Sequence, residues 1–187
     1  MKTHIENLSN LGEILTAIQK FDVEKFASLV ENDDYDDLNW TNPDDGYNPF
    51  LIALKTFGEK ISGIPLNEKS NEEQIAEIEG FGKRATSIIS IFLKNGVNVN
   101  CETVSGLTPL GCVKYYLYLG MLSFLPSAMD GKADEKKVVM QSLSNFFDGI
   151  TAILVEAGAD EKCKNKFGET PSQYADRAMT EGIEKRL

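Results

Sequence analysis

Residues 96–109, GVNVNCETVSGLTP, and residues 158–171, GADEKCKNKFGETP, carry one pattern twice, the second copy 62 positions after the first. Five residues recur in register: Gly96 as Gly158, Cys101 as Cys163, Gly106 as Gly168, Thr108 as Thr170, and Pro109 as Pro171. A weaker third copy lies upstream, at Gly46, Asn48 and Pro49. Self-similarity at a fixed spacing is the sequence signature of repeat architectures, so the chain is predicted to be a short array.

Each copy carries the signals that end one helix and begin the next. Gly96 and Gly158 follow apolar helical runs, where glycine readily adopts the left-handed conformation that closes a helix. Thr108, Thr170 and Asn48 each precede a proline, the arrangement of an N-cap followed by the residue best suited to the first helical position. The polar, turn-rich stretch between these two signals predicts a protruding loop, called a finger below.

Helical periodicity fills the rest of the chain. The pattern predicts two short helices over 11–32, broken near 21–22, then a helix from Pro49 that fades near Gly58 and the stretch 63–65. A capping box of Ser70 and Glu73 opens a long helix, in which nearby glycines predict a kink or break at 80–82. Further helices are predicted from Pro109 toward residue 126, through 139–154, and over 171–187. The predicted fold class is therefore all-α.

Together these residues resemble the ankyrin repeat family. The resemblance is carried by GLTPL at 106–110, FGETP at 167–171, DGYNP at 45–49, ILVEAGAD at 153–160 and AIQKFDVEKFASLVEN at 17–32. It covers nearly all of the chain and implies a stack of antiparallel helix pairs joined by finger loops. We expect one domain over 1–187, with an N-terminal helix pair at about 11–32, enlarged repeats at about 46–96 and 106–158, and a C-terminal cap at about 168–187.

Two departures from the family pattern stand out. The usual unit is about 33 residues, whereas the two central units here span about 60, so each helix pair must be taller or carry an inserted loop. The histidine that usually follows Thr-Pro-Leu is absent, and Leu51, Gly111 and Gln173 stand in its place. Since that histidine links neighbouring loops in the family, some finger rigidity is expected to be lost.

Charge is unevenly distributed along this acidic chain, whose formal net charge is −10. Seven carboxylates and no Lys or Arg lie between Glu31 and Asp45. Four of them form a predicted acidic patch: Asp33, Asp34, Asp36 and Asp37. Such a field repels nucleic acid and attracts a basic partner. The alternative, a solvated loop that keeps the array soluble, remains open.

The remaining composition favours a soluble cytoplasmic protein. The N-terminus lacks the unbroken apolar stretch of a signal peptide, and the longest uncharged run, 115–129, is shorter than the roughly 20 residues of a membrane span. Cys101 and Cys163 occupy one repeat position, too far apart for a disulfide, so they are expected to be reduced and tucked under the fingers. No cofactor, metal site or catalytic group is expected, since the one histidine, His4, is near the terminus.

The resemblance implies a monomeric, non-catalytic module that binds a protein, basic or amphipathic, through its fingers and concave helix face. The predicted contact residues are Trp40, Asn42, Asp44, Asp45, Tyr47, Glu102 and Val104. Trp40 and Tyr47 are typical interface anchors, with local packing as the alternative for both. Two other functions stay open: an inhibitor or immunity-type protein that neutralises a basic enzyme or toxin, and a bacterial effector exported into host cells. The tyrosine-rich segment 115–125 is interpreted as helix packing or as a groove for a partner helix.

Overall fold

The computed structural model describes residues 4–31, 38–64, 69–123 and 133–184. These residues form seven α-helices and no β-strand, so the predicted all-α class is confirmed for them. The helices are α1 (His4–Lys20), α2 (Val23–Glu31), α3 (Pro49–Ser62), α4 (Asn71–Lys94), α5 (Pro109–Ser123), α6 (Ala133–Glu156) and α7 (Pro171–Glu184).

The predicted N-caps are present in the structure. At each one a side-chain oxygen accepts the backbone N–H three residues on: Asn48 from Leu51 at 2.8 Å, Ser70 from Glu73 at 3.2 Å, Thr108 from Gly111 at 3.1 Å, and Thr170 from Gln173 at 3.3 Å. Glu73 and Gln173 accept the N-cap N–H in return, both at 2.9 Å, which completes the two capping boxes. These caps fix where α3, α4, α5 and α7 begin.

The predicted helix ends are confirmed as well. Gly96 and Gly158, which follow α4 and α6, have φ angles of 72° and 96°, in the left-handed region that glycine adopts without strain. The break between α1 and α2 lies at Phe21, whose φ is 54°. Asp22 then caps α2, because its Oδ1 accepts the N–H of Lys25 at 2.9 Å.

Helix α3 continues past Gly58 and ends at Ser62, with Gly63 as its C-cap, so the helix ends where the predicted stretch 63–65 begins, and α4 has no break at 80–82. At Gly58 the helix is buried against Tyr116, and an added Cβ would overlap that ring. At Gly82 an added Cβ would lie 2.9 Å from Cδ2 of Phe146 on α6. These glycines allow close helix packing, which outweighs their low helix propensity.

Contacts between the helices fall into two series. Helices α1, α3, α5 and α7 contact one another in succession, as do α2, α4 and α6, and the series meet in the pairs α1–α2, α3–α4 and α5–α6. One hydrophobic cluster runs through both. Phe92 of α4 joins three helices in it, with ring centroids 4.8 Å from Phe26 of α2 and 5.2 Å from Phe50 of α3.

In the middle of the chain, the helices of the second series are longer than those of the first series. Helices α4 and α6 have 24 residues each, whereas α3 and α5 have 14 and 15. Their equivalent positions meet directly: Nζ of Lys136 lies 3.4 Å from Oε1 of Gln74, 62 residues earlier, and 3.0 Å from Oδ1 of Asn71. The spacing of the sequence repeat is therefore also a spatial relationship between two helices.

One helix among the described residues, α6, is apolar and long enough over Lys136–Glu156 to cross a membrane by length and composition alone. The core helix of a soluble protein passes the same test. The apolar stripe of α6 at Val139, Leu143, Phe147, Ile150 and Leu154 belongs to the hydrophobic cluster. The absence of membrane association stays a prediction.

Candidate functional site

Three loops precede helices that begin with proline and have related turns: the first finger (38–48), the second (97–108) and the third (159–170). A backbone N–H···O bond closes the turn of each: Asn42 to Tyr47 at 2.8 Å, Thr103 to Leu107 at 3.0 Å, and Asn165 to Glu169 at 2.9 Å. A glycine in the left-handed region follows each tip, at Gly46, Gly106 and Gly168, with φ of 77°, 82° and 81°. The second and third turns therefore match in their closing bonds, and the first turn is one residue longer.

Neighbouring fingers touch each other. The N–H of Val104 donates to the carbonyl of Asp45 at 2.9 Å, joining the second finger to the first. Nδ2 of Asn165 donates to the carbonyl of Gly106 at 2.9 Å, joining the third to the second. An added Cβ on Gly46 would lie 2.7 Å from the nitrogen of Val104, so this approach requires glycine. The three turns therefore form one connected surface.

The predicted anchors on the first finger are less accessible than expected of interface residues. Trp40 and Tyr47 are half-buried, and Tyr47 packs against the core, with Nζ of Lys55 at 5.5 Å from its ring. Burial raises the pKa of the Tyr47 phenol to about 12. Tyr47 thus packs locally, and its role as a contact for a partner stays a prediction.

Two other predicted contacts shape the first finger. Oδ1 of Asn42 accepts the N–H of Asp44 at 3.1 Å, and Oδ1 of Asp45 accepts the N–H of Tyr47 at 2.9 Å. Short polar side chains commonly stabilise turns in this way. Asp44 and Asp45 are exposed, whereas Asn42 is half-buried. The predicted acidic patch at Asp33, Asp34, Asp36 and Asp37 lies outside the described residues.

The second finger presents one predicted contact and uses the other internally. Val104 exposes 53% of its surface at the tip. Glu102 is half-buried, and its Oε2 accepts the N–H of Lys166 from the third finger at 3.2 Å. Glu102 therefore links two fingers, while Val104 is available to a partner.

Sequence reasoning missed Phe167 at the tip of the third finger. Its side chain is 60% exposed, and Nζ of Lys166 lies 5.4 Å from its ring. The signal was present in the sequence, because an aromatic residue stands beside the finger glycine in an otherwise polar stretch. Since the first two copies have Asp45 and Ser105 at that position, the repeat pattern did not single it out.

The third finger is tied to the helices by charged groups. Arg177 of α7 donates to both oxygens of Glu169, through Nε at 2.6 Å and Nη2 at 3.1 Å. These bonds lower the pKa of the Glu169 carboxyl and raise the pKa of the guanidinium. Nζ of Lys114 on α5 lies 3.2 Å from Oε1 of Glu161. The charged side chains of this finger are thereby partly engaged at its base.

The described part of the tyrosine-rich segment is helix packing. Tyr116 is buried, and Tyr115, Leu117 and Leu119 pack against the core. At Gly120 an added Cβ would lie 2.8 Å from Cδ2 of Leu143, so α5 and α6 are in close contact there. The packing interpretation therefore describes Tyr116, while Tyr115, Leu117 and Leu119 are half-buried.

The three cysteines have different environments and no disulfide, as predicted for Cys101 and Cys163. Cys101 is half-buried and accepts a hydrogen bond from Nδ2 of Asn48 at 3.4 Å, and burial raises its pKa to about 11. Cys112 is fully buried, which raises its pKa further. Cys163 is exposed, so the expectation that both repeated cysteines are tucked under their fingers is wrong for this one. In the described residues no further finger follows the third, so no neighbouring finger covers Cys163 from that side.

A second concave surface lies away from the fingers, between α4 and α6. It is a groove of about 540 Å³, lined in part by Ile78, Gly82 and Phe146. Within the described part of the chain, no three His, Cys, Asp or Glu side chains are grouped as metal ligands. The finger surface therefore combines more of the features expected of a site: repetition, direct contact between units, and exposed apolar tips.

A scan against protein-family models finds no family that matches the chain. A search of curated proteins finds no match either.

Proposed function

We propose that this chain is an ankyrin-type protein-binding module that holds a partner protein against its fingers and the adjoining helix face. One observation carries the proposal: neighbouring fingers contact each other, and their tips expose large apolar side chains at Val104 and Phe167. Exposed apolar side chains on loops that contact each other are the kind of surface at which proteins bind one another.

The order of the elements supports the ankyrin assignment. Each central unit runs from a finger to a Pro-initiated helix, then to a second helix that ends at a left-handed glycine. The two series of helix contacts are those expected of units stacked side by side. Lengthened second helices, with 24 residues in α4 and α6, supply much of the extra size of the central repeats.

We propose that the fingers bind a partner and catalyse no reaction. What they expose is apolar area at Val104 and Phe167 and carboxylates at Asp44 and Asp45. The net charge of −10 favours a protein over nucleic acid as the partner. A monomer in the cytoplasm, where thiols such as the exposed Cys163 stay reduced, is part of the same proposal.

The test is affinity purification from a cell lysate with the intact chain and three variants. Val104→Asp and Phe167→Asp place a charge on the fingers, while Val138→Asp places one on α6 at a side chain that is also 60% exposed. Proteins retained by the wild type and by Val138→Asp but lost from both finger variants would support the proposal. Equal retention by all four chains, or loss only from Val138→Asp, would refute it.

A further inference from the structure

The charge of the finger surface changes sign along the array. The first finger exposes Asp44 and Asp45, and residues 38–48 contain no Lys or Arg. The third finger exposes three lysines, Lys162, Lys164 and Lys166. Of its three carboxylates, Glu161 is paired with Lys114 and Glu169 with Arg177, while Asp160 is exposed. With these two ion pairs counted as neutral, the third finger has three lysines against one carboxylate, so the surface is acidic at the first finger and carries an excess of positive charge at the third.

The apolar tips lie between these charged ends. Val104 sits where the second finger meets the first, since its N–H is bonded to Asp45. Phe167 sits where the third finger meets the second, because an added Cβ on Gly106 would lie 2.8 Å from its Cδ2. From end to end the order is acidic, apolar, then aromatic and basic.

We propose that the fingers bind one contiguous peptide segment of a partner protein, with basic, apolar and acidic residues in that order. Resting on the function proposed above, this assignment specifies the chemistry of the partner. The basic residues face Asp44 and Asp45, the apolar residues cover Val104 and Phe167, and the acidic residues face the lysines of the third finger. Complementary charge at both ends sets the direction in which the segment lies.

The required segment is short. Helices in contact are about 8–10 Å apart, so the outer two of three adjacent fingers are separated by roughly 20 Å. An extended chain advances about 3.3 Å per residue, so roughly six residues span that distance. A peptide of about 12 residues can therefore contact all three fingers.

In the experiment, a displayed library of random peptides of about 12 residues is selected for binding to the intact wild-type chain. Enriched peptides are expected to carry Lys or Arg about six residues from Asp or Glu, with large apolar residues between them. Synthetic copies should bind Asp44→Lys at least fivefold more weakly than wild type at low salt, with a smaller difference at high salt. Glu79→Lys, an equivalent change at an exposed position on α4, is the matched control and should bind as wild type does.

Three results would overturn this assignment: no enrichment, enriched peptides without that charge order, or equal binding by the wild-type and Asp44→Lys chains. The purification with Val104→Asp and Phe167→Asp then separates the two proposals. If those variants still lose the wild-type partners, protein binding by the fingers stands and only the partner chemistry fails. If they retain the partners, both proposals fail.

Discussion

Asn100 on the second finger is hydrogen-bonded to Gly158, the left-handed glycine that follows α6. Nδ2 of Asn100 donates to the carbonyl of Gly158 at 3.0 Å, while its Oδ1 accepts the N–H of Asp160 at 3.1 Å. One side-chain amide thus satisfies a donor and an acceptor where the third finger begins. The second and third fingers are thereby joined at the base as well as at the tip.

Asn39 makes the same pair of bonds one unit earlier. Its Nδ2 donates to the carbonyl of Gly96 at 3.3 Å, and its Oδ1 accepts the N–H of Asn98 at 2.6 Å. Recurrence of the arrangement in two consecutive units identifies it as part of the repeat. These amides connect successive fingers in a chain whose Thr-Pro positions lack the histidine usual in ankyrin repeats.

Replacing Asn100 by alanine is expected to lower the free energy of unfolding by about 1–2 kcal/mol, because two exposed hydrogen bonds are lost. Urea denaturation measures the change, with a lower midpoint at an unchanged slope. Asn145→Ala, which removes an exposed amide within α6, is the control and should cost less, since alanine favours the helix. An Asn100→Ala chain as stable as wild type would show that the bonds contribute nothing.

Replacing two glycines inside helices by alanine should change the stability of the protein in opposite directions. Gly58→Ala is expected to destabilise the protein strongly, by roughly 2 kcal/mol or more, because the new Cβ overlaps the Tyr116 ring. Gly80→Ala meets open space and should raise stability by up to about 1 kcal/mol through helix propensity. Thermal unfolding of both variants beside wild type checks the pair. Similar shifts in the same direction would contradict the packing of α3 against α5.

Tyr47 should make stability fall as the solution becomes alkaline. Its phenol has a folded-state pKa of about 12 against an ordinary value of 10.0, so between these values the folded state keeps a proton that the unfolded state has lost. Stability is therefore full below pH about 10 and declines as pH rises toward about 12. In Tyr47→Phe this decline should be shallower, as measured by urea denaturation across that range. An identical slope would mean that Tyr47 is not desolvated.

The three thiols should react at different rates with a disulfide reagent. Cys163 is exposed and should react quickly, whereas burial protects Cys112 and raises the pKa of Cys101 to about 11. Spectrophotometric titration of the native chain is expected to show one fast thiol, and Cys163→Ser should remove it. In denaturant all three cysteines should react. A fast phase that persists in Cys163→Ser would place another cysteine at the surface.

Much of the fold followed from local signals in the sequence. The helix starts at Asn48, Thr108 and Thr170 and the ends at Gly96 and Gly158 were predictable because caps depend on a few neighbouring residues. Helix α3 did not fade near Gly58 and α4 did not break at 80–82, because propensity is a local quantity, whereas Gly58 and Gly82 pack against rings 58 and 64 positions away in the chain.

The candidate surface was less predictable than the helices. Val104 was identified because it stands in a recurring finger, and Phe167 was missed because its side chain has no counterpart in the other copies. Periodicity also could not separate tip residues from residues that stabilise the turns, such as Asn42 and Glu102. That distinction depends on which finger packs against which, a tertiary relationship.

The central claim, that the finger tips are where a partner protein lies, is tested most directly by site-specific photo-crosslinking. A photoreactive amino acid is placed at position 104, at 167, or at 138 on α6, and each intact chain is irradiated in cell lysate. The account predicts the same crosslinked partner from positions 104 and 167, and none of it from 138. Crosslinks to that partner from 138 alone would contradict it.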